Sequence, residues 1–149
     1  MESVDPDSLA LRLPVDFVVR GTPASIQTSN KRTRDAWIAK VREAARARVA
    51  ELTDFHFLVE RPVSITIYYF PPDAMPGDLD NIVKYTVDGP KRVIYPDDKS
   101  VERILIQKFE PGTPRFFRAL TPKLAEALDS EPPVLYMRID GDLLWRILP

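Results

Sequence analysis

The apolar positions along this chain change period several times, and each change marks an element. Residues 15–20 (VDFVVR) form a β-branched apolar run ended by Gly21-Thr22-Pro23, which predicts a strand. From about 33 to 52 the period lengthens to that of a helix. Trp37, Ile38, Val41, Ala44, Ala45, Val49 and Leu52 then fall in one arc. Most of the basic side chains in this segment lie outside the arc; Arg34 and Arg48 stand at its edge and must snorkel from it. After Pro62 the period drops to two, with Val63, Ile65, Ile67 and Tyr69 alternating with Ser64, Thr66 and Tyr68, as in a half-buried strand.

Residues 70–77, with three prolines and a glycine, read as an exposed loop. A short helix is predicted over 79–88, stopped by Gly89-Pro90, and a third strand over 101–109. Another short helix follows near 122–128. Two strand-like runs, 134–139 and 143–148, flank Asp140-Gly141-Asp142, a hairpin signal. This order predicts an α/β (α+β) fold: a mixed β-sheet packed with helices, in a single domain over 1–149.

The 149 residues suffice for one core that buries roughly 70% of the unfolded surface. With no cysteine, disulfides, thiolate zinc sites and cysteine nucleophiles are excluded, and His56 alone cannot build a multi-histidine metal site. No apolar stretch approaches the ~18 residues of a membrane span. The acidic start, Met1 to Asp7, has no signal-peptide pattern, so a cytoplasmic protein without membrane association is expected. The net charge of −1 argues neither for nor against a nucleic-acid partner, because the charge is unevenly distributed. Basic residues crowd the segment from Lys31 to Arg48, while acids gather near the middle and the termini.

The chemistry sits in Asp78-Leu79-Asp80-Asn81-Ile82-Val83-Lys84, followed by Asp88 and then Asp97-Asp98. Were 79–88 one helix, Asp80, Lys84 and Asp88 would share a face at four-residue spacings, with Asp78 just ahead of it. Carboxylates from separate segments are how a protein holds Mg²⁺, which prefers oxygen ligands and keeps waters for a phosphate-bearing substrate. A lysine among them offsets their repulsion and can stabilise charge on a phosphate oxygen. Structural readings compete with this. Asp78 or Asp80 suits a helix N-cap, Asp80 and Lys84 suit a surface ion pair of about 0.2–0.5 kcal/mol, and residues 96–100 suit an ordinary turn.

Taken together, this stretch resembles the RusA family of Holliday-junction resolvases. Its motif Asp-x-Asp-Asn-x-x-Lys, an Asp four residues on and an Asp-Asp pair ahead of a hydrophobic strand are matched by Asp78, Asp80, Asn81, Lys84, Asp88 and Asp97-Asp98. Gly21 to Ser25 after a strand, then a basic helix, is similar as well. The resemblance covers about 15–110, leaving 111–149 as a C-terminal extension carrying the extra helix and hairpin. It implies a Mg²⁺-dependent endonuclease, with Mn²⁺ as a substitute, that nicks four-way DNA junctions in symmetric pairs as a homodimer. Asp78, Asp80 and Asp98 are then the essential metal-binding carboxylates, Lys84 the catalytic lysine, and Asp97 and Asp88 supporting ligands. An alternative is a junction-binding protein of the same fold with little or no cleavage. The chain departs from the family at Gly89-Pro90, where the helix usually continues, and in the length beyond Pro111. That extension has three open roles: lengthening the sheet, burying a dimer edge or binding a partner.

Phosphate contact is the functional reading for Lys31, Arg32, Arg34, Lys40 and Arg42, against a solvated helix face. Met75 is the candidate for an apolar wedge into a junction, whereas Phe70 is expected to cap the core. Trp37, Tyr136 and Trp145 read as core, and His56 as partly exposed with no visible role.

Overall fold

In the computed structural model, which describes residues 11–141, the alternation in the sequence becomes a four-stranded sheet. The elements run β1 (Val15–Arg20), α1 (Lys31–Leu52), β2 (Val63–Phe70), α2 (Val83–Asp88), β3 (Val101–Lys108), α3 (Pro122–Asp129) and β4 (Val134–Asp140). Helix α1 starts earlier than the apolar arc requires, because Asn30 caps it by accepting the Thr33 N–H at 3.2 Å. Thr121 caps α3 in the same way, through the Leu124 N–H.

The strand order is β1-β4-β2-β3, with β4 antiparallel to both neighbours and β2 parallel to β3. Of the three roles open to the C-terminal segment, the described residues bear on one: it adds a strand to the sheet. Its strand fills the middle of the sheet, between β1 and β2, and residues 134–137 are all buried. The second arm of the expected hairpin, 143–148, and Trp145 lie outside the described residues.

Period two sorts the strands into two faces. Val15, Phe17, Val19, Val63, Ile65, Ile67, Tyr69, Leu135, Met137 and Ile139 form one face, under the α1 residues Trp37, Val41, Ala45 and Val49. Leu52, the last residue of the predicted arc, is exposed instead. The opposite face carries a smaller core around Phe70, Phe109, Leu124, Ala127, Val134 and Tyr136. Phe70 stacks on Phe109 with centroids 5.2 Å apart, so it does close this core.

A buried carboxylate ties the layers together. Asp16 accepts hydrogen bonds from the Thr121 hydroxyl at 2.6 Å and the Tyr136 hydroxyl at 2.8 Å. Arg48 reaches from the edge of the helical arc to donate to the Asp16 carbonyl at 2.9 Å, with its other end on Glu51. Burial and the Asp16 charge together raise the Tyr136 pKa, which keeps that phenol a donor.

Candidate active site

The predicted helix over 79–88 divides in two. A 3₁₀ turn, Leu79–Ile82, precedes α2, and its tighter winding breaks the four-residue register expected of Asp80. Asp78 makes no side-chain capping bond, and no ion pair joins Asp80 to Lys84 among the described residues. Neither structural reading of these two acids is realised, and both side chains are exposed.

Helix α2 is anchored from below. Trp37 donates its indole N–H to Thr86 Oγ1 at 3.0 Å, and Thr86 donates to the Ile82 carbonyl at 2.7 Å. A Cβ on Gly89 would overlap Val41, so the glycine that ends α2 is what lets it lie against α1. Arg42 closes this end by donating to the carbonyls of Asp88, at 2.8 Å, and Gly89, at 3.1 Å. Tyr95 donates its hydroxyl to the Val87 carbonyl at 2.7 Å. Fixing α2 in this way fixes Lys84 and Asp88.

Lys84 Nζ lies 2.9 Å from Asp88 Oδ1 and 3.1 Å from Asp98 Oδ2. Lys91 meets the same two carboxylates, at 3.1 Å and 3.8 Å. Two ammoniums and two carboxylates thus alternate around one small ring. Asp98 arrives on a second 3₁₀ turn, Asp98–Ser100, capped by Asp97, whose Oδ1 accepts the Asp98 N–H at 2.7 Å. For Asp97 the turn reading holds. Side-chain hydrogen bonding to Asp97, and then to Lys84, draws the Asp98 carboxyl down to about 2. Hydrogen bonding to Asp88, and secondarily to Asp98, raises the Lys84 pKa. At neutral pH Lys84 is a cation and Asp98 an anion, so Lys84 is placed to stabilise negative charge, not to accept a proton.

Of the predicted site residues, Lys84, Asp88 and Asp98 are joined directly and Asp97 through Asp98. Asp78 and Asp80 make no hydrogen bond or ion pair with them among the described residues. Among the described residues no three Asp, Glu or His side chains stand close enough to share one metal ion. The donor chemistry nevertheless suits a hard divalent cation: every candidate ligand is a carboxylate, three of them (Asp78, Asp80 and Asp97) are exposed, and Asp98 stays ionised over the working pH range.

One groove borders the ring and a second lies at Asp78. The first, of about 690 Å³, runs along α1 past Asp88 and Asp97 and carries Arg42, Arg46, Lys91 and Arg92. The other, of about 670 Å³, lies beyond Asp78 between residues 22–28 and 71–78 and is walled by Pro23, Tyr69, Pro71, Met75 and Ile82. Met75 is half-buried against the core, and its backbone N–H donates to Glu110 at 2.6 Å.

The basic helix behaves unevenly. Lys31, Arg32 and Lys40 are exposed on α1. Arg34 pairs with Asp35 at 3.2 Å and lies 5.9 Å over the ring of Tyr85, the neighbour of Lys84 in α2. Arg42 is engaged with the end of α2 as described. His56 is half-buried, with Nε2 2.8 Å from the Val93 carbonyl, which ties the loop after α1 to the turn before Asp97. Lys91 was not singled out in the sequence. Its position three residues after Asp88, across the Gly89-Pro90 turn, is the only signal that pointed to it.

No helix among the described residues is long and apolar enough to cross a membrane. No curated protein matches the chain. A family model does: that of endodeoxyribonuclease RusA, over residues 17–117, which takes in the whole ring and both grooves but ends before β4.

Proposed function

Because this chain belongs to the RusA endodeoxyribonuclease family, we propose that it is a Mg²⁺-dependent nuclease resolving four-way DNA junctions by paired symmetric nicks. The family acts on branched DNA, and the Lys84–Asp98 pairing is the observation that carries the reading to this chain. It unites a cation and an ionised carboxylate from two separate segments, beside two exposed acids in the order the family motif requires.

Asp78, Asp80 and Asp98 would hold the metal, with Asp97 and Asp88 in support. When bound, Mg²⁺ supplies Lewis acidity toward the phosphodiester. Lys84, protonated and steered by Asp88, meets charge developing on a phosphate oxygen. Asp88 and Lys91 keep Lys84 and Asp98 in place. Lys31, Arg32 and Lys40, with Arg46 and Arg92 of the basic groove, hold the strands through their phosphates. A homodimer with two-fold symmetry matches the near two-fold symmetry of a junction and sets two sites for paired cuts.

The lysine-bridged state of Asp98 and the separation of Asp78 and Asp80 from it favour one second reading, a junction binder that cuts little. One experiment separates the two. Wild type and Asp80→Asn are incubated with labelled four-way junction and linear duplex, with and without Mg²⁺. Cutting of the junction by wild type only, and only with the metal, supports the nuclease. Binding by both proteins with cutting by neither supports the second reading.

A further inference from the structure

The two grooves differ in charge. The one along α1 carries Arg42, Arg46, Lys91 and Arg92. The one at Asp78 has no lysine or arginine among its described lining residues, and its charged members are Asp73 and Asp78. A phosphate backbone is attracted to the first and repelled by the second. The second groove therefore suits an uncharged part of a nucleic acid.

Its lining narrows that part further. Pro23, Pro71, Pro72 and Pro76 present rigid apolar rings, and Met75 and Ile82 add to the apolar surface. Among them stand the polar residues Ser25, Gln27 and Thr28. Ser25 Oγ accepts the Gln27 N–H at 3.1 Å, and Thr28 Oγ1 accepts the Asn30 N–H at 3.3 Å. No hydrogen bond engages the Gln27 side-chain amide among the described residues, so it keeps donors and an acceptor for a ligand. A mostly apolar cleft of about 670 Å³ with a few polar groups suits a flat heteroaromatic ring.

The groove is tied to the acids. The Ile26 N–H donates to the Asn81 carbonyl at 2.9 Å, which fixes residues 25–28 to the turn that carries Asp80. The other wall ends in Asp78 itself and is held by the bond from the Met75 N–H to Glu110. A phosphate held at these acids leaves its own nucleoside within reach of the groove.

We infer that the groove takes one unstacked nucleobase, from a nucleotide flanking the phosphate at Asp78 and Asp80, with Gln27 hydrogen-bonded to its edge. The site rests on the nuclease reading of those acids and adds to it a means of choosing substrate. Bases inside a continuous duplex are stacked on both sides, whereas a base at a branch point has lost a neighbour. Extracting it there costs less, which favours branched DNA over linear duplex. An amide paired to a base edge discriminates by about 5- to 150-fold between matched and unmatched bases.

Gly77 lines the groove, and a Cβ there meets nothing within 4 Å, so Gly77→Phe adds a ring to the lining without a clash at its base. Wild type and Gly77→Phe are given intact four-way junctions and junctions lacking one base, at each position beside the branch point in turn. In single-turnover cleavage with Mg²⁺, the variant should be slower than wild type on the intact junction by about tenfold or more. At one abasic position wild type should slow, and the variant should recover to the wild-type rate on that substrate. Equal slowing of the variant on every substrate would place the defect at Asp78, and equal rates for both proteins would leave the groove unused; either overturns the site. Gln27→Ala should flatten the preference among the four bases at the same position, and an unchanged preference overturns the assignment of Gln27.

2-Aminopurine at that position reads base extraction in Ca²⁺ without any cut. Its fluorescence should rise when wild type binds and stay flat with Gly77→Phe. A rise without cutting in Mg²⁺ keeps the base site and removes the nuclease. Cutting with no rise and a flat abasic scan keeps the nuclease and removes the base site.

Discussion

Lys84 and Asp98 are fourteen positions apart in the sequence, yet Nζ and Oδ2 are 3.1 Å apart. They come from different elements, α2 and the 3₁₀ turn before β3, and meet because Trp37, Arg42 and Tyr95 fix α2 while Asp97 caps the turn. This contact turns a run of acids and one lysine into a defined electrostatic arrangement.

Lys84→Ala is expected to slow junction cleavage by about 10²–10³-fold, the range for losing one aimed donor. Binding should change little, because many phosphate contacts share it. Single-turnover cleavage in Mg²⁺, with anisotropy binding in Ca²⁺, checks both. Unchanged cleavage removes Lys84 from the chemistry.

Asp98 should titrate near pH 2 by carboxyl ¹³C NMR, below its ordinary 3.8. Because the folded value is the lower one, the stability Asp98 contributes is complete above the ordinary value. It is lost as pH falls from 3.8 through about 2. Lys84→Ala should raise the midpoint only part of the way, since the hydrogen bond with Asp97 is the first cause of the shift. A midpoint at or above the ordinary value would contradict the ring geometry.

Gly89→Ala forces a Cβ into Val41 at the α1–α2 contact. Overpacking of this kind costs about 1–3 kcal/mol, measurable by urea unfolding. In a Val41→Ala background the same change should cost less, a coupling that a double-mutant cycle reads directly. Equal costs in both backgrounds would place the strain elsewhere.

A chain ending at residue 131 lacks β4 and leaves β1 and β2 with no strand between them. It should show no cooperative unfolding transition and no near-UV circular dichroism, although the family match ends at residue 117. A folded, cooperative fragment would contradict the central role of β4.

Much of this was legible in the sequence, for identifiable reasons. Strong periodicity gave β1, α1 and β2, and the paired acids and lysine gave the site its members. What stayed hidden depends on the order of strands in space. Residues 134–140 read as a strand from their own pattern, but nothing local tells them to enter between β1 and β2. The separation of Asp80 from Lys84 was likewise hidden, because one 3₁₀ turn changes the register without a glycine or proline to announce it. Lys91 was missed since it joins Asp88 around a turn, where helical spacing gives no guide.

The most direct test is to label each strand of a four-way junction in turn and map the nicks made in Mg²⁺ by wild type and by Asp80→Asn. The account predicts cuts by wild type at symmetry-related positions on two opposing strands, and none by the variant. Unpaired cuts on all four strands, or identical patterns from the two proteins, would contradict it.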